Sequence, residues 1–440
     1  MTNRFLFKHI DNSALIVFRI LFGALIFIES IGAIFTGWVK HILIDPQFTF
    51  SFIGFEWLQP LPGNWMYIYY IIMGICGLGV MLGYKYRWSI IGFTLLWTTT
   101  YFMQKAAYNN HYYLLILLST IMAIVPANTN YAIDSRANPS IKKNSMPRWC
   151  SLVFVLQMAI VYTYASIAKM YPDWLDTTVV ELLLKSKQQY YLIGELLQQK
   201  WIHYSISYFG IIFDLLIVPL LLWKSTRKYA FYTAVFFHLF NSVVFQVGVF
   251  PYMSLALMLF FFEPNTIRNI FLKKKIFYED EAFIIPKKSA LITGLLIVYF
   301  CVQIILPLRH WVIKDDVLWT EEGHRLSWRM MLRAKSGIVN YKVVDNATNT
   351  IIPIQIDDYL TAKQKRNAAT KPDVIWQFSQ YLKQKFKAEG IDVAVYVSCK
   401  IKVNGKLFQP FIDPKIDLTT VKWDAFGHHE WILPSKQKSL

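Results

Sequence analysis

The stretch SLVFVLQMAIVYTYASIAKMYPDW, residues 151 to 174, decides how the chain is read. Ser151 to Ala168 carries no charge and, wound as a helix, approaches the ~20 apolar residues that a bilayer core demands. Lys169 closes the run, and Pro172, which cannot continue a helix, stops it. An ionisable side chain at the centre of a spanning helix costs roughly 2.5–3.5 kcal/mol on insertion scales, so a functional role is the first question to ask of it. The plain alternative is snorkelling, with the stem along the helix and the amine among the headgroups. Which reading holds depends on where the other unusual polar residues fall.

Working outward, similar apolar stretches recur along the 440 residues, of which 55% are hydrophobic and 17% aromatic. That content exceeds what a soluble core uses. Candidate spans are residues 14–36, 66–83, 88–103, 112–126, 151–168, 205–223, 229–249, 251–262 and 290–307, nine in all. The expected fold is therefore a mainly α-helical polytopic membrane protein, residues 1–309, followed by a strand-rich α+β extracytoplasmic domain, residues 310–440. Lysines and arginines of the short loops, among them Lys85, Arg87, Lys142, Lys143 and Lys273 to Lys275, gather on one side. The positive-inside rule makes that side cytoplasmic, which puts the N-terminus inside and the C-terminal domain outside. The net charge of +17 is thus accounted for by loop bias and attraction to the lipid bilayer, and no nucleic acid is needed as a partner. The first apolar segment contains Arg19 and Glu29 and lacks a small-x-small cleavage pattern, so it reads as a retained span. Cys76, Cys150, Cys301 and Cys399 have no metal-ligand spacing and suggest no disulfide framework.

In the C-terminal part, residues 341–356 alternate around Asn346 to Thr350 and predict a hairpin. Residues 393–408 predict a second, turned at Asn404 and Gly405. Between them Val374, Phe378, Tyr381, Leu382 and Phe386 recur at helical spacing. The loop after Lys169 contains an amphipathic piece, residues 177–189, which reads equally as a simple connecting helix or as one lying on the outer surface as a roof over the lysine.

With orientation fixed, the odd polar residues converge on the outer leaflet. Asn109, Asn110 and His111 open the fourth span; Lys169 closes the fifth. His238 and Asn241, three apart, share a face of the seventh. His310 ends the ninth, and Trp319 to Trp328 follows it. Taken singly, each has a structural reading: a buried histidine packs, and Asn241 hydrogen-bonds a neighbouring helix. Asp214, Arg19 and Glu29 read as members of structural pairs; Arg19 and Glu29, ~15 Å apart along one helix, do not pair with each other. The shared depth favours function. Desolvation disfavours an amine's charged form, and a free amine serves as general base or nucleophile.

Seven segments, in order, then carry a resemblance: WMYIYYIIMGICGLGVMLGYKYR from Trp65, NNHYYL from Asn109, AKMYPDWL from Ala168, FHLFNSVVFQVGVFPYM from Phe237, ILPLRHWV from Ile305, LSWRMM from Leu326 and FIDPKIDLTTVKW from Phe411. The chain resembles the vitamin K-dependent gamma-carboxylase family and its bacterial relatives with the horizontally transferred transmembrane domain. The resemblance implies an enzyme of a bacterial inner membrane whose cofactor is vitamin K hydroquinone or a menaquinol-like quinol. Oxygen and carbon dioxide are its co-substrates, no metal takes part, and a glutamate-containing peptide or protein is the substrate. It implies that Lys169 deprotonates the quinol and that the oxygenated product becomes an alkoxide basic enough to deprotonate the glutamyl gamma carbon, which takes up carbon dioxide. His111 would assist the carbanion step, and Asn110 would orient quinone or lysine. His238, Asn241, His310 and Trp328 would shape the cofactor pocket. The chain departs from the animal enzyme in having no cysteine in residues 38–64 or 371–386, where that enzyme joins loop to domain, and in lacking its distal lumenal region. Propeptide recognition is therefore not implied. Two other readings stay open at this point: a quinol epoxidase without carboxylation, and a non-catalytic membrane protein that binds a peptide.

Overall fold

The computed structural model describes residues 2–280, 283 and 285–435. Each apolar segment singled out above contains a helix: α1 (Ser13–Phe35), α2 (Trp65–Leu82), α3 (Tyr86–Met103), α4 (Asn110–Ile124), α5 (Trp149–Ala168), α7 (Lys200–Leu222), α8 (Lys224–Phe240), α9 (Phe250–Leu257) and α10 (Ser289–Leu308), with the short α6 (Thr178–Lys185) between α5 and α7; the span expected over 229–249 leaves the α-helix at Phe240. Among the described residues, five are long and apolar enough to cross a membrane: α1, α2, α5, α7 and α10 with its extension to Trp311. α4 and α9 are apolar but shorter. α3 falls short chiefly through its polar first turn, with Arg87 and Ser89, and less through Thr94, Thr98, Thr99 and Thr100, and α8 through its length and the cations of its first two turns, Lys224, Arg227 and Lys228.

α1 and α2 run close together because Gly77 has no side chain; a Cβ there would stand 2.8 Å from the Phe27 nitrogen. α9 packs on α1, and α5 on α7, around a core that includes Phe18, Phe22, Phe154 and Phe260. α10 is peripheral, with 11% of its apolar stretch buried against 56% for α5, so most of its surface needs lipid. At the end of the bundle that holds residues 11, 131 and 275, Arg19 donates to the Tyr131 carbonyl (2.6 Å), and Lys275 pairs with Asp11 (2.6 Å). Glu29 lies beside Tyr112, so Arg19 and Glu29 have separate neighbours, as their spacing requires.

The C-terminal part is a four-stranded antiparallel sheet, β1 (Lys335–Asp345), β2 (Ile351–Ile352), β3 (Val393–Val403) and β4 (Gln409–Ile412), in the order β2-β1-β3-β4. The first hairpin falls where the alternation predicts it. In the second, Asn404 (φ 52°) and Gly405 (φ 77°) take the left-handed pair a type I′ turn requires, but the return strand starts at Gln409. α11 (Pro372–Ala388) covers the sheet with Val374, Phe378, Leu382 and Phe386 buried. Tyr381, expected in that row, stacks instead on Phe48 at 3.9 Å.

Three ties join this part to the helices. Phe50 and Ala106, from two loops between helices, sit in its core. Lys105 (2.8 Å) and Arg325 (2.6 Å) both hold Asp373. Asn404 Nδ2 donates to Asp173 (2.8 Å), which Lys406 also approaches (3.1 Å). Burial alone would raise the pKa of Asp373, yet Arg325 and Lys105 hold it well below the usual carboxylate range.

Candidate active site

α5 ends at Ala168 and Lys169 caps it. The backbone level of Lys169 is bracketed on α7: Ser166 Oγ donates to the Ile211 carbonyl (3.0 Å), while Ser207 Oγ donates to the Trp174 carbonyl (2.6 Å) and Trp174 Nε1 to that of Ser207 (3.3 Å). Asp214 lies three residues past Ile211, roughly 4.5 Å further along the helix, and Lys169 Nζ is ion-paired to it. The lysine stem therefore points back along the bundle, and its side chain is 12% exposed. A snorkelling lysine would extend the other way. Asp214, read above as a structural partner, is thus the direct partner of Lys169.

Around this pair is an apolar pocket with about 100 Å³ of free volume. Phe237, Phe245, Phe250, Trp174, Met330 and Met331 supply most of its wall, and Val180 and Leu183 of α6 close it in the manner of the expected roof. Lys169, His111 and Asn241 face it together. Neither the His111 imidazole nor the Asn241 amide has a side-chain hydrogen-bond partner among the described residues, and His111 stacks on Phe250 at 4.2 Å. Asn241 begins a single π-helical turn, Asn241–Phe245, a local widening that is frequent at functional sites.

The other expected residues stand further back. His238 is fully buried and meets the pocket through Tyr162, whose hydroxyl lies 2.8 Å from its Nε2. Asn110 accepts from the Tyr108 hydroxyl (2.8 Å) and donates to the Arg329 carbonyl (3.1 Å), outside the Lys169 pocket. His310 is bonded to the Pro307 carbonyl (2.8 Å) and approaches Arg329 (3.3 Å). Trp328 is buried and stacks on Tyr113 (5.1 Å).

A second chamber, of about 360 Å³, adjoins the first and shares His111, Met330 and Met331 with it. Its lining includes Asn110, Arg329, Arg333, Lys335, Lys371 and Glu321. Four basic side chains thus stand there against one carboxylate. Arg333 forks onto Glu321, and Lys335 approaches the same group (3.4 Å). Burial would raise the Glu321 pKa, but these cations hold it far below the usual range. Lys371 forms no ion pair among the described residues; burial, then the nearby Arg325, lowers its pKa to about 7. The loop between the chambers is strained: Leu326, Trp328 and Met331 all have positive φ (62°, 58° and 54°). A non-glycine residue in that region costs roughly 1–2 kcal/mol. Tyr108 (2.7 Å, to the Leu326 nitrogen), Asn110 and Tyr171, which donates to the Leu332 carbonyl, hold the loop in place.

Sequence reasoning missed Asp214 as the lysine's partner, Tyr162, and the cations of the second chamber. A carboxylate inside an apolar helix signals Asp214. The four-residue spacing of Arg325, Arg329 and Arg333 signals nothing reliable, since the segment is not helical.

The pocket is apolar, with an ion pair and two side chains without hydrogen-bond partners among the described residues, His111 and Asn241, on its wall. Its volume is below the ~300 Å³ of common ligand sites, and Met330 and Met331, unbranched and adaptable, form part of its wall. The HTTM domain family model matches residues 7–265, over half of the chain, and that for the vitamin K-dependent gamma-carboxylase lumenal domain matches residues 288–438. No solved structure matches the chain. By both matches, the chain belongs to the vitamin K-dependent gamma-carboxylase family.

Proposed function

We propose that this chain is an integral membrane carboxylase that couples oxidation of a quinol, vitamin K hydroquinone or a menaquinol-like relative, to carboxylation of glutamyl residues in a peptide. The observation that carries the reading is the inward-pointing Lys169, paired with Asp214 in an apolar pocket that shares His111 with a cationic chamber. Topology in this reading is nine crossings in a bacterial inner membrane, with the N-terminus cytoplasmic and residues 310–440 outside.

When bound, the quinol supplies with oxygen the oxidative energy needed to remove a carbon-bound proton. Everything else falls to the protein. In its neutral tautomer, an amine beside a carboxylic acid, the Lys169–Asp214 pair takes up the quinol's hydroxyl proton on the Nζ lone pair, leaving an ammonium beside the protonated Asp214 and the quinol as its anion. Asn241 orients the ring by hydrogen bonding, and Tyr162, backed by His238, fixes the pocket floor. Phe237, Phe245, Phe250 and Trp174 exclude water that would otherwise quench a strong base. Arg329, Arg333 and Lys371 hold the substrate carboxylate in the adjoining chamber. His111, on the wall common to both, serves the carboxylation half of the reaction. Asn110 acts by fixing the Arg329 carbonyl, and so the strained loop.

The test is purified protein supplied with reduced vitamin K, oxygen, labelled bicarbonate and a glutamyl peptide. Epoxide together with fixed label is expected. Epoxide alone across several peptides would leave the epoxidase reading, and neither product across several quinols would leave the peptide-binding one.

A further inference from the structure

The second chamber leaves Lys371 without a carboxylate. Two acidic groups are near enough to act on it, Glu321 and Asp373, and both are committed elsewhere. Glu321 takes the fork of Arg333 and the approach of Lys335 (3.4 Å). Asp373 is held by Lys105 (2.8 Å) and Arg325 (2.6 Å). Each carboxylate thus has two cationic partners, while Lys371, at the cap of α11, lines the chamber and forms no ion pair among the described residues. Its side chain is only half-buried, so the chamber reaches it. In such a crowd of cations an arginine keeps its proton, whereas a lysine sheds it and becomes a free amine. Lys169, the other amine of the two chambers with a chemical role, has Asp214 as its partner; Lys371 has no counterpart to Asp214.

We infer that Lys371 is a reversible binding site for carbon dioxide, which it holds as a carbamate on Nζ within the cationic chamber, an assignment that rests on the function proposed above. The Nζ lone pair attacks the carbon of carbon dioxide. An N–C bond forms as one C=O π pair moves onto oxygen, and an N–H proton leaves to water. Nothing is oxidised or reduced. The product is a carboxylate on a lysine stem, so a cation without a partner becomes an anion in a chamber lined by Arg329, Arg333 and Lys335. Protonation at nitrogen by water breaks the same N–C bond and returns carbon dioxide to a chamber whose wall includes His111, the residue assigned to the carboxylation half of the reaction. The two uses of Lys371 alternate with its protonation: the ammonium attracts a substrate carboxylate, and the free amine takes up carbon dioxide. Burial, followed by Arg325 and Arg333 against Glu321 and Asp373, lowers its pKa to about 7, so both forms are populated near neutrality.

The experiment uses the full chain in phosphatidylcholine nanodiscs under carbon-13-labelled carbon dioxide at one fixed pressure, at about pH 6 and about pH 8, without quinol or peptide. Carbamates are fixed by ethylation with a trialkyloxonium salt, and the labelled lysines are located by mass spectrometry of the digested chain. At about pH 8 Lys371 is roughly nine-tenths free amine, against under about 1% for an ordinary exposed lysine. Label at Lys371 should therefore far exceed that at the exposed Lys342 and Lys400, and should fall at least roughly tenfold at about pH 6. Lys371→Arg, which keeps a cation in place, should lose the label at that position alone. No label at Lys371, label no greater than at Lys342 and Lys400, or label equal at the two pH values would overturn the assignment. The trapping needs neither quinol nor peptide, so epoxide formation and fixation of labelled bicarbonate into a glutamyl peptide report separately on the catalytic reading.

Discussion

Replacing Lys169 by methionine should remove activity and also weaken the fold, and the second effect reveals the pairing. Asp214 is 5% exposed, and among the described residues its only hydrogen-bond donor is Lys169 Nζ. Stripping one partner from a buried ion pair leaves an uncompensated charge, which costs about 3–5 kcal/mol, whereas replacing both partners by apolar groups of similar size is close to neutral or stabilising. Lys169→Met should therefore lower the melting temperature of the detergent-solubilised protein by several degrees. Asp214→Leu, which strands the ammonium, should do likewise. The double variant should regain the wild-type temperature or exceed it, and all three should make no epoxide. Stability and activity would part company in the double variant alone. Single variants with unchanged stability, or a double variant as weak as either single one, would refute the pairing; epoxide at the wild-type rate in any of them would refute the role of the amine.

Other expectations follow from the two chambers and their ties. His111→Ala should depress fixation of labelled carbon dioxide more than epoxide formation, and equal losses would count against its place on the common wall. Lys371, lowered to about 7, is charged below that pH and neutral above it. Its attraction for a substrate carboxylate is therefore lost as the pH rises past neutrality, and KM for the peptide should rise there while Lys371→Met shows no such rise. A parallel rise in both proteins would dismiss this lysine. Asn404→Ala removes the bonds to Asp173 and to the Ala334 nitrogen (3.0 Å), so it should cost about 1–3 kcal/mol in thermal stability. No measurable loss would mean that this contact is not one of the ties between the two parts of the molecule.

Composition and period were enough to locate the helices, because a lipid-facing segment must be apolar along its length and its backbone must satisfy itself. The hairpins were legible from alternation and from the Asn404–Gly405 pair, whose left-handed backbone few other residues accept. Lys169, His111 and Asn241 were legible as a group once orientation assigned each a depth. What escaped was direction. A lysine at a helix end reaches outward or inward depending on what waits on the next helix, and nothing local to residues 168–174 announces Asp214, forty-five positions later. Arg329 and Arg333 escaped for a different reason: their loop follows neither helical nor strand period, and three left-handed residues within it aim the side chains in ways that no periodic pattern encodes. Asn110, adjacent in sequence to His111, turns to the loop and not to the lysine, since consecutive helical residues face about 100° apart.

The account stands on a proton drawn from carbon by the oxidation of a quinol that Lys169 sets off. Release of tritium from a peptide labelled at the glutamyl gamma carbon measures that event directly, without requiring that carboxylation follow. The account predicts release that needs both quinol and oxygen and that disappears in Lys169→Ala. Release without quinol, or undiminished in that variant, would contradict it.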